Sequence, residues 1–495
     1  MKKFLNINKL KIIIAFLIPM LFLLFINQGL DNDSWFVLAE GRQIVENGVH
    51  YTDVLTMHDG LNLVVQNYGF AAIFYLIFSV FGAPGLYVML LVLNFVICYL
   101  LYKICMLISN KNLNLSLVLM MVTNLLLVYS TFVTTRAQMV SYVIFLGLIY
   151  VLELYVKTGK SKFLAWLPVL SLLQINLHSS VWWMLILVWL VYVIDSIKAP
   201  KIHLQGYKTK PLLIVGALMF ACGFLNPYGI KMITYIFTSY GKSTINNLVD
   251  EMHPFSPFRN GYMFFTYVSL AAVMVLYIFG KKKNVRGRYL LMFFGFLALG
   301  INTSKGMSEF ILVMFFPLAL LYKDVSLGKL LDMAKIGRDA LIIWAGVVCF
   351  AIFVALGSIV VFTVPSYPNE TSVKVLDTID ADVGEKDKKE LKIYTGYNDG
   401  GYVEYRGYRS YLDPRAEVFL KINNGKEDIL DEWVDFRKGK TKVSDFVEKY
   451  NFDYIWAVGD YDPFYDFENE NYVVIYENEE EETKLYKILD KLQKV

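Results

Sequence analysis

The chain has 495 residues, 56% of them hydrophobic and 16% aromatic, with a mean hydropathy of +0.46. A soluble domain of this length cannot keep so apolar a composition and a solvated surface, so a polytopic membrane protein is expected. The net charge of +3 is unevenly divided, with +14 over residues 1–364 and −11 over 365–495, which separates a membrane module (1–364) from a polar domain (365–495). Cys98, Cys105, Cys222 and Cys349 all lie in apolar segments, so neither a disulfide framework nor a cysteine metal centre is indicated.

The first apolar run, Ile12 to Leu30, is too long for a signal-peptide core and lacks a small-residue cleavage site; it reads as an uncleaved transmembrane helix. It opens into "GLDNDSWFVLAEGRQIVENGVHYTDV", which places Asp31, Asp33 and Trp35 at the mouth of that span, followed by Glu40, Arg42, Asp53, His58 and Asp59. A short apolar stretch, Tyr68 to Phe81, ends in Gly82-Ala83-Pro84-Gly85. Further spans are expected near 84–102, 113–133, 138–156, 163–179, 181–197, 211–225, 261–280, 289–303, 307–322 and 339–363.

Whether the Tyr68 stretch crosses the bilayer sets the side of every later loop. If it lies in the interface, the cytoplasmic segments, including "KKKNVRGR" from Lys281, hold 22 Lys and Arg, and the outer side holds six: Arg42, Arg136, Lys231, Lys242, Arg259 and Lys305. If it crosses, the positive-inside rule is inverted. The expectation is therefore an α-helical polytopic protein of about eleven spans, with the N-terminus cytoplasmic, a first extracytoplasmic loop over 31–83 with interfacial helices, and an extracytoplasmic C-terminal domain.

This topology collects the polar residues hardest to explain by packing at the outer side: Asp31, Asp33, Glu40, Arg42, Gln66, Asn67, Arg136, Gln138, Asn176, His178, Asn226, Asp250, Glu251, His253, Asn302, Lys305 and Glu309. Ionisable groups at membrane depth are costly and face a cavity or a partner. A single polar cavity at the outer leaflet is the economical reading.

"DNDSWFVLAEGRQIVENG" and "QNYGFAAIFYLIF", followed by "TTRAQMVSYVIF", "QINLHSSVWW", "LNPYG", "VDEMHPFS" and "INTSKGMSEFILVMFFPLAL", resemble in order the segments of the C-type glycosyltransferase superfamily, in a bacterial branch with a C-terminal extracytoplasmic domain. The resemblance covers most of the chain. It implies a lipid-phosphate sugar donor, an acidic motif in the first outer loop and two interfacial helices before the second span. Such a transfer needs a base for the acceptor proton and cationic or metal charge for the leaving phosphate. Asp31 or Asp33 can be that base; the resemblance favours Asp31, with Asp33 then positioning the acceptor or a divalent cation. The rival reading is a helix-capping pair.

Arg136 and Lys305 sit at expected outer helix ends against the positive-inside bias and are assigned to the donor phosphate, snorkelling being the alternative. Lys305 stands where the resemblance leads one to expect Arg, which leaves bidentate contact there open. Trp35, Glu40, Arg42, Gln66, Asn67 and His178 are the candidate substrate-binding residues; a structural hydrogen-bonding role is the alternative for His178. Asp33, Glu251 and His253 are the metal candidates, although two residues of one loop do not make a metal site. "LNPYG" reads first as a turn.

After Pro365 the pattern changes to short strands ("LKIYTGY", "GGYVEYR", "SYLDPRA", "YIWAV", "YVVIYEN") between helix-like "KVLDTIDA", "DILDEWVDFRKG" and "VSDFVEKYN", an α/β domain. Asp413 and Arg415 read as a buried ion pair or a site, and "ENEEEE" as a solvated turn. The function expected is transfer of a hexose or pentose from a polyprenyl-phosphate donor to a cell-surface glycan, lipid or protein in a bacterial plasma membrane, with no nucleic-acid partner and no assigned cofactor, a divalent cation being left open. The alternatives are a non-catalytic glycan-binding or scaffold protein of the same fold and a transporter or flippase.

Overall fold

The computed structural model describes residues 7–26, 30–198, 204–239, 243–281, 285–324, 369–384, 388–459 and 462–489. The chain forms two compact units, each built from separated stretches of sequence. A helical unit takes Met1–Gln28, Leu86–Gly229 and Val249–Val364; a mixed unit takes Gly29–Gly85, Ile230–Leu248 and Pro365–Val495.

The helical unit follows the apolar runs. Each expected segment from 12–30 through 307–322 contains a helix, and the span expected over 339–363 lies outside the described residues. Four described stretches are long and apolar enough to cross a bilayer: Asn8–Phe25, Tyr68–Ile108, Gln138–Thr158 and Ser304–Leu321. Shorter apolar helices cover Leu113–Tyr129, Ser161–Leu177, Ser179–Asp195, Thr209–Gly223 and Gly287–Asn302. In an apolar medium a helix satisfies every backbone donor and acceptor internally, which is why these uniformly hydrophobic runs take that form. Their ends use polar side chains: Asn112 Oδ1 accepts from Leu115 N at 3.2 Å, and Asn226 folds "LNPYG" into a turn by accepting from Tyr228 N at 2.9 Å.

The Tyr68–Ile108 helix is broken at Gly82, where φ is 63° and ψ is −160°. Only glycine adopts this backbone at low cost, and Pro84 follows it. The stretch from Tyr68 to Phe81 is thus a separate helix, and the first stretch of the mixed unit ends three residues past the break, at Gly85.

The mixed unit is centred on a five-stranded sheet. Its strands are β1 (Lys392–Tyr394), β2 (Arg409–Ser410), β3 (Tyr454–Val458), β4 (Tyr472–Asn478) and β5 (Thr483–Ile488), in the order β2-β1-β3-β5-β4. β1 is parallel to β2 and β3, while β5 is antiparallel to β3 and β4. An aromatic core lies against it: Phe436 and Phe446 stack at 4.0 Å, and Tyr394 meets Phe464 at 4.6 Å. The helices Glu370–Val383, Ile429–Arg437 and Val443–Tyr450 fall on the three helix-like segments.

Three details differ from the sequence reading. "GGYVEYR" is not a strand but the helix Gly400–Tyr405, because Gly400 and Gly401 are pressed against other backbone. A Cβ on Gly400 would lie 1.8 Å from Leu412 O, and one on Gly401 would lie 2.9 Å from Phe36 N. "SYLDPRA" contributes only the end of β2, at Ser410. A further strand, "TKLYKI", is β5, and "ENEEEE" turns β4 back into it.

The first loop is built into this unit. Its helix Asn32–Asn47 packs on Gly400–Tyr405 through the Gly401 contact and on the Tyr68 helix through Gly41, whose Cβ would fall 2.1 Å from Ala71 O. Thr56 pairs in parallel with Ser410, Met57 N donates to Ser410 O at 2.9 Å, and Asn62 N donates to Asn424 O at 3.0 Å. The loop thereby continues the sheet past its β2 edge.

Candidate functional site

Asp31 is the N-cap of the Asn32–Asn47 helix: Ser34 N and Ser34 Oγ donate to its Oδ1 at 3.0 and 2.9 Å. Asp33 lies in the first turn. An Asp at this position satisfies a backbone donor left open by the helix and complements its dipole. The cap also fixes where the carboxylate points. Beside it, Asn32 Nδ2 donates to Asn398 Oδ1 at 2.9 Å, tying the start of the helix to the C-terminal segment.

The same helix carries Trp35, Glu40 and Arg42, and all three are engaged within the mixed unit. Trp35 is buried, its ring 4.8 Å from Tyr405, 5.1 Å from Tyr402 and 6.0 Å from Phe78. The Arg42 guanidinium stands 5.5 Å over Tyr405 and donates to Glu404 O at 3.2 Å. Gln66 Nε2 donates to Glu417 Oε1 at 2.7 Å, and Asn67 leads into the Tyr68 helix, its carbonyl accepting from Ala71 N. These contacts bind the first loop to the C-terminal segment.

Glu40 belongs to a buried ionic hub around Arg415. The guanidinium lies 3.0 Å from Glu40, 2.9 Å from Asp53, 2.6 Å from Asp413 and 3.6 Å from Glu404, and every member is buried. His50 Nε2 reaches Glu40 Oε1 at 2.9 Å. The expectation of a buried Asp413–Arg415 pair holds within a larger cluster, and Glu40, expected at the substrate, has its carboxylate enclosed in that cluster instead. Burial opposes the charge of Asp53, but the Arg415 charge wins and holds its carboxyl below the ordinary value. Burial, then the negative charge of Asp413, pushes Glu404 well above the usual carboxylate range. Burial also opposes the His50 charge, but the Glu40 hydrogen bond and charge raise it. His58 takes no part: its Nε2 lies 2.8 Å from Tyr411 O, and burial lowers its pKa.

In the helical unit Arg136 and Lys305, both assigned by sequence to the donor phosphate, converge on one carboxylate. Arg136 Nη1 lies 2.9 Å from Glu251 Oε1 and Lys305 Nζ lies 3.7 Å from Glu251 Oε2. Burial works against Glu251, but the Lys305 and Arg136 charges hold its carboxyl below the ordinary value. His253, two residues on, contributes its carbonyl, which accepts from Ser304 N at 2.8 Å and Ser304 Oγ at 3.1 Å. Among the described residues no three His, Cys, Asp or Glu side chains group as a metal site. Glu251, a metal candidate by sequence, is paired with cations.

His178 Nδ1 lies 2.8 Å from Ser141 Oγ, and Gln174 Nε2 donates to the same Ser141 Oγ at 3.0 Å. Ser141, Tyr142, Gln174 and Glu309 line a small cavity with room for about one water. Gln138 Nε2 donates to Ser308 Oγ at 3.3 Å nearby in sequence to Lys305. The acidic pair Asp31 and Asp33 thus belongs to the mixed unit, and Arg136, Glu251, Lys305 and His178 to the helical unit.

One buried ionic group was missed by sequence reasoning. Arg288, the last residue of "KKKNVRGR" and counted above among the cytoplasmic loop cations, is 5% exposed. Its Nε and Nη2 donate to Glu153 at 2.8 and 3.1 Å, and Nη1 to Asp195 at 3.0 Å and Gln205 at 2.6 Å. The usable signal was a pair of carboxylates in apolar helices, which at membrane depth demands a partner.

No family model and no curated protein matches the sequence. Solved structures do match the fold. The chain superposes on the archaeal oligosaccharyltransferase AglB from Archaeoglobus fulgidus in complex with an inhibitory peptide and a dolichol-phosphate, with a TM-score of 0.57 and 9% identity, over 91% of this chain and 69% of that one. The apo form of the Archaeoglobus fulgidus oligosaccharyltransferase matches with a TM-score of 0.48 and 12% identity, over 92% and 70%. The chain therefore shares the fold of that oligosaccharyltransferase.

Proposed function

We propose that the protein is a membrane glycosyltransferase that moves a sugar from a polyprenyl-phosphate-linked donor to a cell-surface glycan, lipid or protein at the outer face of a bacterial plasma membrane. The observation that carries this reading is the likeness of fold to an oligosaccharyltransferase over 91% of the chain, a protein solved with a peptide and a dolichol-phosphate. In this reading about eleven spans, a cytoplasmic N-terminus and an extracytoplasmic C-terminal domain set the acidic loop on the outer side.

Asp31 takes the proton of the acceptor hydroxyl. Asp33 positions the acceptor or a divalent cation. Arg136 and Lys305 receive the negative charge that develops on the leaving phosphate, the first by its planar fork and the second as a point charge. The leaving phosphate is a weak base and needs no strong acid. The buried hub at Arg415 has a supporting role: it ties Glu40 and Asp53 of the first loop to Asp413 and Glu404, so that the helix presenting the carboxylates is held in one place.

The test is replacement of Asp31 and Asp33 by Asn, separately and together, in cells, followed by analysis of surface glycans. Loss of a surface sugar at unchanged protein level is the expected result. An unaltered glycan profile in the double variant rejects the assignment.

A further inference from the structure

We propose that the cavity lined by Ser141, Tyr142, Gln174 and Glu309 is a binding site for one water molecule, which donates a hydrogen bond to Gln174 Oε1 and joins three helices of the helical unit.

The donor side of the Gln174 amide is fixed. Its Nε2 lies 2.6 Å from His178 O, which can only accept, so the nitrogen and not the oxygen faces that carbonyl. The second proton of the same nitrogen goes to Ser141 Oγ at 3.0 Å. Both donors are used, and Oε1 is a buried acceptor that meets no donor among the described residues. Ser141 cannot supply one, since its single hydroxyl proton is directed to His178 Nδ1 at 2.8 Å or to Ala137 O at 3.4 Å. A buried acceptor in this position carries its full desolvation cost, which folded proteins offset with an ordered water where the site is polar and roomy enough.

This site meets both conditions. The cavity beside Gln174 has room for about one water, and its wall includes three further buried polar side chains, Ser141, Tyr142 and Glu309. Those three also have protein partners: Ser308 Oγ donates to Glu309 Oε2 at 2.9 Å, and Ser308 and Gln138 both interact with the Tyr142 hydroxyl. The demand for a donor therefore comes from Gln174, and the other groups complete the shell of a molecule with two protons and two lone pairs. The charge of Lys305 reaches both Glu309 and His178, which sets the cavity against a metal cation and in favour of a neutral donor. Ser141 and Tyr142 come from the helix Gln138–Thr158, Gln174 from Trp166–Leu177 and Glu309 from Met307–Val313, so one water bridges three helices.

The experiment is a cryo-electron microscopy map of the full chain in lipid nanodiscs, at a resolution that shows ordered water, for wild type, Gln174→Met and Val181→Ile, with thermal melts of these proteins and the double variant in sodium chloride and in choline chloride. Wild type is expected to show a density peak about 2.7–3.2 Å from Gln174 Oε1, and Gln174→Met to lack it. Val181 lines the same cavity, so Val181→Ile fills it with a methyl while keeping every polar group; it is expected to lose the peak and to melt about 2–10 °C lower. In the Gln174→Met background the same methyl is expected to cost less than half as much, because the acceptor it would orphan is gone. A wild-type map that resolves water elsewhere in the helical unit but none here overturns the proposal, as does a peak that persists in Gln174→Met. An equal cost of the methyl in both backgrounds also overturns it, by reducing the effect to overpacking, and so does a melting temperature that rises specifically with sodium, which makes the occupant a cation. If Gln174→Met does not fold, the wild-type and Val181→Ile maps still decide: a peak in the first that is lost in the second supports the site, and no peak in the first rejects it.

Discussion

Replacing Arg415 by methionine removes the guanidinium from a cluster of four buried carboxyl groups while keeping much of the side-chain volume. Three of those groups, Glu40, Asp53 and Asp413, lie within 3.0 Å of it, and Glu404 lies at 3.6 Å. Removing one partner of a buried ion pair costs about 3–5 kcal/mol, because the abandoned charge stays in a medium that cannot solvate it. At about 2–4 °C per kcal/mol for a unit of this size, the melting temperature falls by on the order of 10 °C. The direction with pH follows from the carboxylates. In wild type, Arg415 holds Asp53 below its ordinary value, so its contribution is fully present above the unfolded pKa and is lost only as pH falls through the depressed folded value. Without the guanidinium the buried carboxyls rise above their unfolded values, and the variant gains stability as pH falls. The gap between wild type and Arg415→Met therefore narrows from pH 8 to pH 5. Thermal unfolding of purified protein across that range is the assay. A variant within about 1 °C of wild type, or a gap that does not change with pH, refutes the reasoning.

Asp31 separates capping from chemistry, since Asn caps a helix as well as Asp does. Asp31→Asn is expected to melt with wild type yet lose about 10²–10⁴ in transfer rate, while Asp31→Ala also loses about 1 kcal/mol of stability; full activity in Asp31→Asn assigns the residue to the cap alone. Gly401→Ala puts a methyl 2.9 Å from Phe36 N and 3.1 Å from Phe36 Cβ, so the first-loop helix must shift, with an expected loss of about 1–3 kcal/mol in a thermal melt. Arg288→Met leaves Glu153 and Asp195 unpaired in the helical unit and is expected to abolish folded protein on size-exclusion chromatography, while Arg286→Met, its exposed neighbour in sequence, leaves it intact. His50, whose pKa Glu40 raises, contributes stability present below its unfolded pKa and lost as pH rises through the folded value, so His50→Gln is expected to flatten the wild-type melting curve between pH 6 and pH 8.

What was legible in the sequence follows the range of the interaction. The apolar segments gave helices where hydropathy placed them, because that signal is local and strong. Asp31 was readable as an N-cap, and Asp413–Arg415 as a buried pair, from residues one to three apart. The link from Arg415 to Glu40 spans 375 positions, and nothing in either neighbourhood points to the other. "GGYVEYR" alternates like a strand, yet its glycines answer to backbone contacts with Leu412 and Phe36 that only the folded unit supplies. β5 was missed because "TKLYKI" is short and follows an acidic turn, although the strand before that turn needed an antiparallel partner. Arg288 was misplaced because a basic run invites one treatment, whereas Arg288 is buried and Arg286, two residues before it, is exposed.

The claim on which the rest depends is that the chain transfers sugar from a lipid phosphate. Purified protein in proteoliposomes, supplied with polyprenyl phosphates bearing a radiolabelled sugar and with an extract of surface acceptors, measures it directly. The account predicts that label passes to acceptor with release of one polyprenyl phosphate per sugar, in wild type and not in the Asp31→Asn, Asp33→Asn double variant. Label that stays on the lipid in wild type, or transfer that proceeds equally in the double variant, contradicts it.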